Sequence, residues 1–333
     1  MSRLHKRKQR KKKIILSFLL IVFILVAVPS SYIAWGYYSG LQKAQGLSEL
    51  SQEDIAFEGD EQLEGKINVL LIGVDTRGEE ASNSDSIMIA QYDTDAKKAK
   101  VVSILRDIYA DIPGEEIKRK INASYMIGGA DLLRKTIKEM FDIDIHYYAI
   151  VDFNGFVEAI DIAFPDGIEM NVKKEMSHGI WQTIYPGRQN LNGKQLLGYA
   201  RFRHDSKNDF GRAERQQEVV QAVTDELKSV SGALKLPTLI GSIKPFIATN
   251  IANKTLLSVM TAYLSSDHKN IDKLIIPVEG SYDDARVDIG GQEQEVLDID
   301  IEENRQAIQE FLGKEPVAEE IKTDNQAERS RAD

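Results

Sequence analysis

The sequence predicts an α/β protein: a three-layer α/β/α domain with a central mixed sheet, preceded by one transmembrane helix. Strand-like apolar runs alternate with helical spacings along most of the chain, which is the order expected of a mixed α/β domain. A long uncharged segment precedes them, and the 333-residue chain has no cysteine. The fold therefore depends on a hydrophobic core instead of disulfides, and thiol catalysis and thiolate metal sites are excluded.

The N-terminal segment has the composition of a membrane anchor. Eight Lys or Arg residues lie between Arg3 and Lys13, and no further charge appears before Lys43. Residues 14–38 are long enough to span a bilayer as a signal-anchor helix, with aromatic residues at the outer end. The basic tail over 1–13 predicts a single-pass type II protein of the cell membrane, with a cytoplasmic N-terminus. A cleaved signal peptide is the alternative, and it would also export the main domain.

Composition sets the remaining boundaries. Residues 39–65 predict an extracellular stalk, 66–313 one large extracellular domain, and 314–333 a disordered acidic tail. Without the eight cations of the basic tail, the chain has 34 Lys and Arg against 52 Asp and Glu, a formal charge of about −18. So acidic a domain is a poor general binder of nucleic acid, and clustered arginines within it need a specific explanation.

The predicted sheet begins at the apolar run 68–73, which indicates a strand buried on both faces. Two more strands are predicted over 86–92 and 100–105, joined by a turn over 93–98. Apolar residues at helical spacing predict a helix over 130–141.

The rest of the chain continues this alternation. Strands are predicted over 146–151, 168–172 and 273–277, and helices over 154–162, 193–203, 212–230, 238–244, 256–265 and 302–312. Asn192 and Asp209 are the expected N-caps of the helices that they precede.

Two carboxylates lie at the expected ends of buried strands. Asp75 follows the first strand, and Asp85 precedes the second. Ligands of α/β proteins usually bind in the crevice at such strand ends, and two hard oxygen donors suit Mg2+ or Mn2+ held together with a phosphate. The alternative is that both residues only terminate strands and cap turns.

A basic and an acidic residue, Arg106 and Asp107, directly follow the third predicted strand. They are expected at the same sheet edge as Asp75, where they would face a ligand, although a surface ion pair is the alternative. A smaller basic cluster ends at Lys120, and a solvated loop is favoured there.

The densest cluster covers residues 201–217, which contain four arginines, one histidine and two glutamines. Arg212, Arg215 and Gln216 share a helix face, and the helix N-terminus adds partial positive charge. The planar fork of arginine binds phosphate oxygens bidentately, so this cluster predicts an oligophosphate site. A solvated amphipathic helix is the alternative. Phosphate-loop, zinc-protease and serine-hydrolase motifs are absent from the sequence.

Six motifs, in order from about residue 66 to 220, resemble the LytR-CpsA-Psr family. They are Asn-Val-Leu-Leu-Ile-Gly-Val-Asp, Ser-Asp-Ser-Ile-Met-Ile, Ser-Ile-Leu-Arg-Asp, Lys-Ile-Asn-Ala-Ser-Tyr, Phe-Pro-Asp-Gly-Ile and Arg-x-Arg-His-Asp followed by Asp-Phe-Gly-Arg-x-x-Arg-Gln-Gln. The chain departs from many members at Asn83, where they carry arginine, so one cation expected near the metal is missing.

The resemblance implies that 66–313 is the catalytic domain of a Mg2+-dependent phosphotransferase of Gram-positive envelopes. Family members move teichoic acid or another anionic glycopolymer from an undecaprenyl-pyrophosphate carrier to the C6 hydroxyl of N-acetylmuramic acid in peptidoglycan, forming a phosphodiester. The resemblance also implies an apolar tunnel for the polyprenyl chain.

The resemblance assigns roles to individual residues. Asp75 and Asp85 match the Mg2+ positions, and Arg106 and Asp107 are the expected catalytic residues, with Asp107 or Asp75 as the general base. The residues expected to hold the pyrophosphate are Arg106, Lys120, Arg201, Arg203, Arg212 and Gln216.

Two other functions remain open from the sequence. A hydrolase would cleave the same lipid pyrophosphate with water as the acceptor. A non-catalytic envelope scaffold or regulator would need neither Asp75 nor Asp85, and the 13-residue basic tail is too short for a helix-turn-helix.

Overall fold

The computed structural model describes residues 30–43, 55–61, 65–75, 84–266 and 270–313, with the side chains of 230–235 left out. The predicted tails over 1–13 and 314–333 lie outside these residues, as does 14–29 of the predicted membrane span. Among the described residues, no helix combines the length and the apolar character needed to cross a membrane.

The strands and helices occur in the alternating order that the sequence predicts. The strands are β1 (Lys66–Val74), β2 (Ser86–Asp93), β3 (Lys98–Ile104), β4 (Tyr109–Ala110), β5 (Arg119–Lys120), β6 (Tyr147–Asp152), β7 (Ile168–Val172), β8 (Gly187–Leu191), β9 (Ile247–Thr249), β10 (Asp272–Ile276), β11 (Tyr282–Asp288) and β12 (Glu293–Ile299). The helices are α1 (30–43), α2 (Ala123–Phe141), α3 (Phe153–Ala163), α4 (Gly193–Arg201), α5 (Asn208–Lys228), α6 (Val230–Ile243), α7 (Asn253–Leu264) and α8 (Ile301–Leu312).

A six-stranded mixed sheet forms the centre, in the order β10-β3-β2-β1-β6-β9. Strand β1 is antiparallel to β2 and parallel to β6, and β10 is parallel to β3. Gly73 of β1 is opposite Ser86 of β2, so the end of one strand and the start of the next meet. The C-terminal ends of β1, β3, β6 and β10 consequently lie along one edge of the sheet.

Helices cover both faces of the sheet, which gives the predicted three layers. On one face α2 and α8 bury side chains against the strands, among them Leu70, Ile89, Leu133, Phe141 and Ile308. On the other face α5 and α7 pack against a second set, including Met88, Val101, Val220 and Tyr263. Each large apolar side chain that is fully buried contributes about 1.5–3 kcal/mol, so these two interfaces carry much of the stability.

A second core lies beside the sheet. Helices α3, α4 and α6 enclose it with the hairpin of β7 and β8, and its buried members include Phe164, Leu196, Tyr199 and Leu239. The sequence predicts β7 correctly, but β7 pairs with β8 in this hairpin and not with the central sheet.

Most predicted elements agree with the structure, and several of the differences lie at helix starts. Helix α2 begins earlier than predicted and is kinked at Gly128 and Gly129, where the backbone leaves helical geometry. The Asn192 side chain caps α4 in a capping box, as predicted. The expected cap Asp209 is wrong, because α5 already begins at Asn208 and Asp209 lies in its first turn.

Residues 55–61, which belong to the segment predicted as a stalk, contact the folded domain. Asp60 accepts a hydrogen bond from Arg134 of α2 at 3.0 Å, and its carboxylate also accepts from the Ile145 backbone N–H. The Phe57 ring lies 4.9 Å from the Tyr148 ring. This part of the segment is therefore a component of the domain surface.

Two glycines of α4 should respond oppositely to replacement by alanine. A Cβ at Gly193 would overlap the Val157 carbonyl oxygen of α3, whereas a Cβ at Gly198 would lie 3.4 Å from the nearest side-chain atom, on Ile180. We expect Gly193→Ala to lower the free energy of unfolding by about 1–3 kcal/mol. Gly198→Ala should leave it unchanged or raise it by about 0.5–1 kcal/mol. Urea unfolding followed by circular dichroism measures both, and equal effects would contradict the tight α3–α4 contact.

Candidate active site

The carboxyl edge of the central sheet brings the predicted acidic residues together. Asp75 directly follows β1, and Asp85 directly precedes β2. The Asp85 backbone N–H donates to the Gly73 carbonyl at 2.9 Å, which continues the β1–β2 ladder by one residue. Because Gly73 pairs with Ser86, the end of β1 and the start of β2 bring Asp75 and Asp85 to the same edge of the sheet.

Arg106 and Lys120 are tied to the same edge by ion pairs. Arg106 Nη1 lies 2.5 Å from Asp85 Oδ1, and its Nε lies 3.5 Å from Asp107 Oδ2. Lys120 Nζ donates to Asp107 Oδ1 at 2.7 Å. Asp107 therefore bridges two predicted phosphate-binding cations, and all four side chains are partly buried.

Arg201, the last residue of α4, reaches the same edge from the second core. Its Nη2 lies 3.2 Å from Asp75 Oδ2, and its guanidinium lies over the rings of Phe153 and Trp181 at 4.8 and 5.5 Å. The Nη1 atom is buried and has no hydrogen-bond partner among the described residues. A buried guanidinium donor without a partner is costly, so this atom is suited to an anionic ligand.

A fourth carboxylate, Asp209, holds two further arginines. Asp209 Oδ1 accepts from Arg203 Nη2 at 2.7 Å and lies 2.9 Å from Arg212 Nη2. Burial raises the pKa of Asp209, and the nearby Asp107 carboxylate adds to that shift against the opposing effect of Arg203. Burial and the neighbouring Arg106 lower the pKa of Arg203, which is the effect expected where cations are crowded.

These side chains surround a polar cavity of about 210 Å³. Its walls come from the sheet edge, from α3 to α5, and from the loop between β7 and β8. The lining residues are Asp85, Phe153, His178, Gly179, Arg201, Arg203, His204, Arg212 and Gln216.

An apolar cavity of about 210 Å³ adjoins the polar one. Phe153, Arg201 and Gln216 line both cavities. The Ser86 hydroxyl donates to Gln216 Oε1 at 3.0 Å, which fixes the amide at this boundary. The remaining lining is mostly hydrophobic: Leu71, Ile72, Gly73, Ser86, Met88, Val151, Phe156, Leu197, Ala200, Val219 and Val220.

The structure gathers the predicted site residues to different degrees. Five of them line the polar cavity, namely Asp85, Arg201, Arg203, Arg212 and Gln216. Asp75 and Arg106 contact lining residues directly, whereas Asp107 and Lys120 join through Arg106.

One arginine of the predicted cluster faces away from the cavity. Arg215 is buried, donates to Asp205 at 2.7 Å and to the Phe202 carbonyl, and lies over the Phe202 ring. Its role is to anchor α5 to the segment that follows α4.

The sequence reasoning missed four residues around the pocket. Phe153 and Trp181 flank Arg201, and the rings of His178 and His204 meet edge to face with centroids 4.8 Å apart. His204 stands inside a recognised motif and could have been found there. His178 and Trp181 come from an irregular loop with no pattern to indicate them.

The acidic residues fit a divalent ion only in combination with a ligand. No group of three or more His, Asp or Glu side chains that could hold a metal occurs in the described part of the chain. Asp75 and Asp85 supply two carboxylates at the same edge of the sheet, and Mg2+ is commonly bound by one or two carboxylates together with substrate phosphates. The donor set therefore fits Mg2+ or Mn2+ bound jointly with a phosphorylated ligand.

Fold and site together define an α/β protein with an arginine-lined pocket at the carboxyl edge of a mixed sheet. The chain belongs to the LytR-CpsA-Psr family: the model of the LytR_cpsA_psr family matches residues 34–305.

Named relatives agree with this membership. The chain is 40% identical over 284 residues to "Regulatory protein MsrR" of Staphylococcus aureus (strain COL), covering 85% of each chain. It is 29% identical over 282 residues to "Polyisoprenyl-teichoic acid--peptidoglycan teichoic acid transferase TagU" of Bacillus cereus, covering 81% of this chain and 89% of the relative. The crystal structure of B. subtilis TagV superposes with a TM-score of 0.63 at 28% identity, covering 77% of this chain and all of TagV.

The buried pair of Arg215 and Asp205 should make stability depend on acid pH. Burial alone would raise the pKa of Asp205, but hydrogen bonds from Lys174 and Arg215 lower it to about 2. A carboxylate whose pKa is lower in the folded state than in the unfolded state, where it is near 4, stabilises the folded protein at pH values above 4. This stabilisation is lost as the pH falls from 4 towards 2. We expect Arg215→Met to lower the free energy of unfolding by about 3 kcal/mol at pH 7, and by less at each step below about pH 4.

The matched control is Arg286→Met. Arg286 pairs with Glu295 at 2.6 Å, but both side chains are more than two-thirds exposed. Surface pairs contribute about 0–1 kcal/mol, so this variant should unfold close to wild type. Urea unfolding between pH 2 and pH 7 checks both variants. A pH-independent loss for Arg215→Met would contradict the ionic character of the buried pair.

Proposed function

We propose that the protein transfers an anionic glycopolymer, teichoic acid or a similar polymer, from an undecaprenyl-pyrophosphate carrier to the C6 hydroxyl of N-acetylmuramic acid in peptidoglycan. The product is a phosphodiester. The protein acts from the outer side of the cell membrane, to which its N-terminal segment anchors it.

The observation that carries this proposal is the shared wall of the two cavities. One cavity is lined by arginines and the other by hydrocarbon, and Arg201 and Gln216 stand at their boundary. A ligand that fits both must have a charged head and an apolar tail joined at that boundary. A polyprenyl pyrophosphate has this form, and the name of the TagU relative specifies a teichoic acid linked to a polyisoprenyl group.

The arginines bind the diphosphate and receive the charge of the leaving group. The acceptor oxygen forms a bond to the phosphorus that carries the glycopolymer, and the bond from that phosphorus to the bridging oxygen breaks. Undecaprenyl phosphate leaves with the electron pair and one added negative charge. Arg201, Arg203 and Arg212 line the space where that charge develops, and such preorganised cations lower the barrier of phosphoryl transfer.

Asp75 and Asp85 would hold the divalent ion, which would supply positive charge to neutralise the diphosphate. Their ion pairs with Arg201 and Arg106 place the cations next to these carboxylates.

The acceptor hydroxyl must lose a proton, and Asp107 or Asp75 is the proposed base. Asp107 contacts Lys120 and Arg106, and Asp75 contacts Arg201. Both carboxylates therefore lie beside cations that would hold the diphosphate.

A lipid-pyrophosphate hydrolase and a regulator are the competing functions, the second because the MsrR relative is named a regulatory protein. The hydrolase would release the glycopolymer phosphate whether or not peptidoglycan is present. A regulator would not need cations at the sheet edge. Product analysis with a lipid-linked donor, with and without peptidoglycan, therefore separates the three.

The proposed transfer should depend on Arg201. We expect Arg201→Ala to lower kcat/KM for transfer from a lipid-linked donor about 100-fold or more, because a charge-stabilising donor is lost. Transfer of radiolabelled glycopolymer to peptidoglycan fragments measures it in the full chain with Mg2+. The control is Arg188→Ala on β8, since Arg188 is 76% exposed and pairs only loosely with Glu169 at 3.6 Å. Near-wild-type transfer by Arg201→Ala would overturn the assignment.

The apolar cavity should select the lipid part of the donor. Ala200 lines that cavity one residue before Arg201, so Ala200→Leu fills part of it. We expect a polyprenyl pyrophosphate to bind at least about 10-fold more weakly, while inorganic pyrophosphate binds as in wild type. Calorimetric titration of both ligands measures this. Equal weakening of both would show that the substitution disturbs the arginine pocket instead of the lipid cavity.

A further inference from the structure

Helix α1 contacts α6 at backbone distance. Gly36 and Gly40, one turn apart on α1, are both buried. A Cβ at Gly36 would lie 3.2 Å from Pro237 Cβ, and a Cβ at Gly40 would overlap the Thr238 carbonyl oxygen. Small residues four positions apart allow two helices to approach this closely.

The contact is reciprocal. A Cβ at Gly241 of α6 would overlap the Tyr37 carbonyl oxygen and lie 3.0 Å from the Leu41 backbone nitrogen. The Tyr37 side chain packs against the second core. Glycines on both helices therefore fix the register of α1 on α6, because sliding by one residue would place side chains where only hydrogens fit.

A different side of α1 exposes aromatic rings. Tyr32, Trp35 and Tyr38 are 44%, 68% and 66% exposed. At 100° per residue they centre about 120° from the glycine face, so they lie on a different side of α1 from its contact with α6. Tyr and Trp side chains combine an apolar ring with a polar group, so they favour the interface between lipid and water over either phase.

The chain before α1 places this aromatic face at a bilayer. The apolar run over 14–28 ends two residues before the first described residue of α1, and no charge intervenes before Lys43. Helix α1 includes the outer part of the segment predicted to cross the bilayer, so it lies where that segment leaves the hydrocarbon core.

The docked helix also connects to the proposed lipid site. Helix α6 packs against α3 and α5. These two helices supply Phe156, Val219 and Val220 to the wall of the apolar cavity. The position of α1 on the bilayer thus sets the position of that cavity relative to the lipid.

We propose that α1 is a rigid arm, held on α6 by the glycine contact, whose face of Tyr32, Trp35 and Tyr38 lies in the headgroup layer and fixes the orientation of the domain on the membrane. The inference rests on the membrane anchoring in the proposed function, and it is independent of the transfer chemistry. The occupant of the aromatic face is the outer surface of the bilayer.

The absence of cysteine from the chain allows a direct test of the arm. The Cβ separation at Gly36 and Pro237 is close to the range of about 3.5–4.5 Å that a disulfide requires. In the full chain reconstituted in phosphatidylglycerol–phosphatidylcholine vesicles, Gly36→Cys with Pro237→Cys should cross-link by more than half under mild oxidation. Trp35→Cys with Pro237→Cys is the matched control, because Trp35 lies on the outer side. No excess over this control would overturn the docked arm.

Tryptophan fluorescence tests the membrane contact. The chain has two tryptophans, so Trp181→Phe leaves Trp35 as the only one. Vesicles with lipids brominated near the headgroup should quench Trp35 by at least about twofold. In the control variant, Trp35 and Trp181 are both replaced by Phe, and Glu295→Trp introduces a single tryptophan, the reporter, on β12. The hairpin of β11 and β12 packs with the layer on the opposite side of the sheet. That reporter should not be quenched.

The outcomes are separable from those of the proposed function. Cross-linking without quenching of Trp35 would overturn the membrane contact, and equal quenching of both reporters would overturn the fixed orientation. Whether the Arg201→Ala variant loses or keeps transfer activity does not change the cross-linking or the quenching that the docked helix predicts. An enzyme with another donor would still show the cross-link and the quenching.

Discussion

Ion pairs at the carboxyl edge of the sheet hold five cations close together, and the rest of the site depends on them. Arg106, Lys120, Arg201, Arg203 and Arg212 would repel one another in a partly buried pocket. Each contacts a carboxylate whose position the fold sets: Asp75, Asp85, Asp107 or Asp209. A strongly acidic domain thereby keeps one local surface that attracts anions, and the carboxylates that stabilise the arginines also supply the hard oxygen donors for a divalent ion.

The packing of α5 shows how the helical layer positions this chemistry. Arg212 and Gln216 of α5 face the cavities, whereas Gln217 donates to Ser103 and to the Leu274 carbonyl on the sheet side. Arg215 is buried against the segment after α4. Because three directions around the helix are fixed by buried polar contacts, its rotation about its own axis is set. The boundary between the polar cavity and the apolar cavity is therefore fixed at Gln216.

Glycines fix the positions of whole helices relative to one another, as the buried polar contacts fix the rotation of α5. The α3–α4 contact at Gly193 and the α1–α6 contact at Gly241 both bring backbones together where a methyl group would overlap a carbonyl oxygen. Backbone contacts leave few alternative rotamers, so they transmit position from one layer to the next. The series from α1 through α6 to α3 and α5 connects the N-terminal helix to the wall of the apolar cavity.

The sequence alone determined the α/β class, five of the six strands of the central sheet, the family and the residue types of the site. Buried strands carry continuous apolar runs, and the spacing of motifs can be identified from the sequence without knowledge of the packing. It could not identify β8 or β11, whose polar residues owe their strand form to pairing with a partner. It also placed Arg215 beside Arg212 on one face, because helical spacing tells which residues lie near each other but not which of them meets the sheet. Tertiary contacts across long separations decided that Arg215 is structural, that His178 joins His204 at the pocket, and that α1 lies on α6.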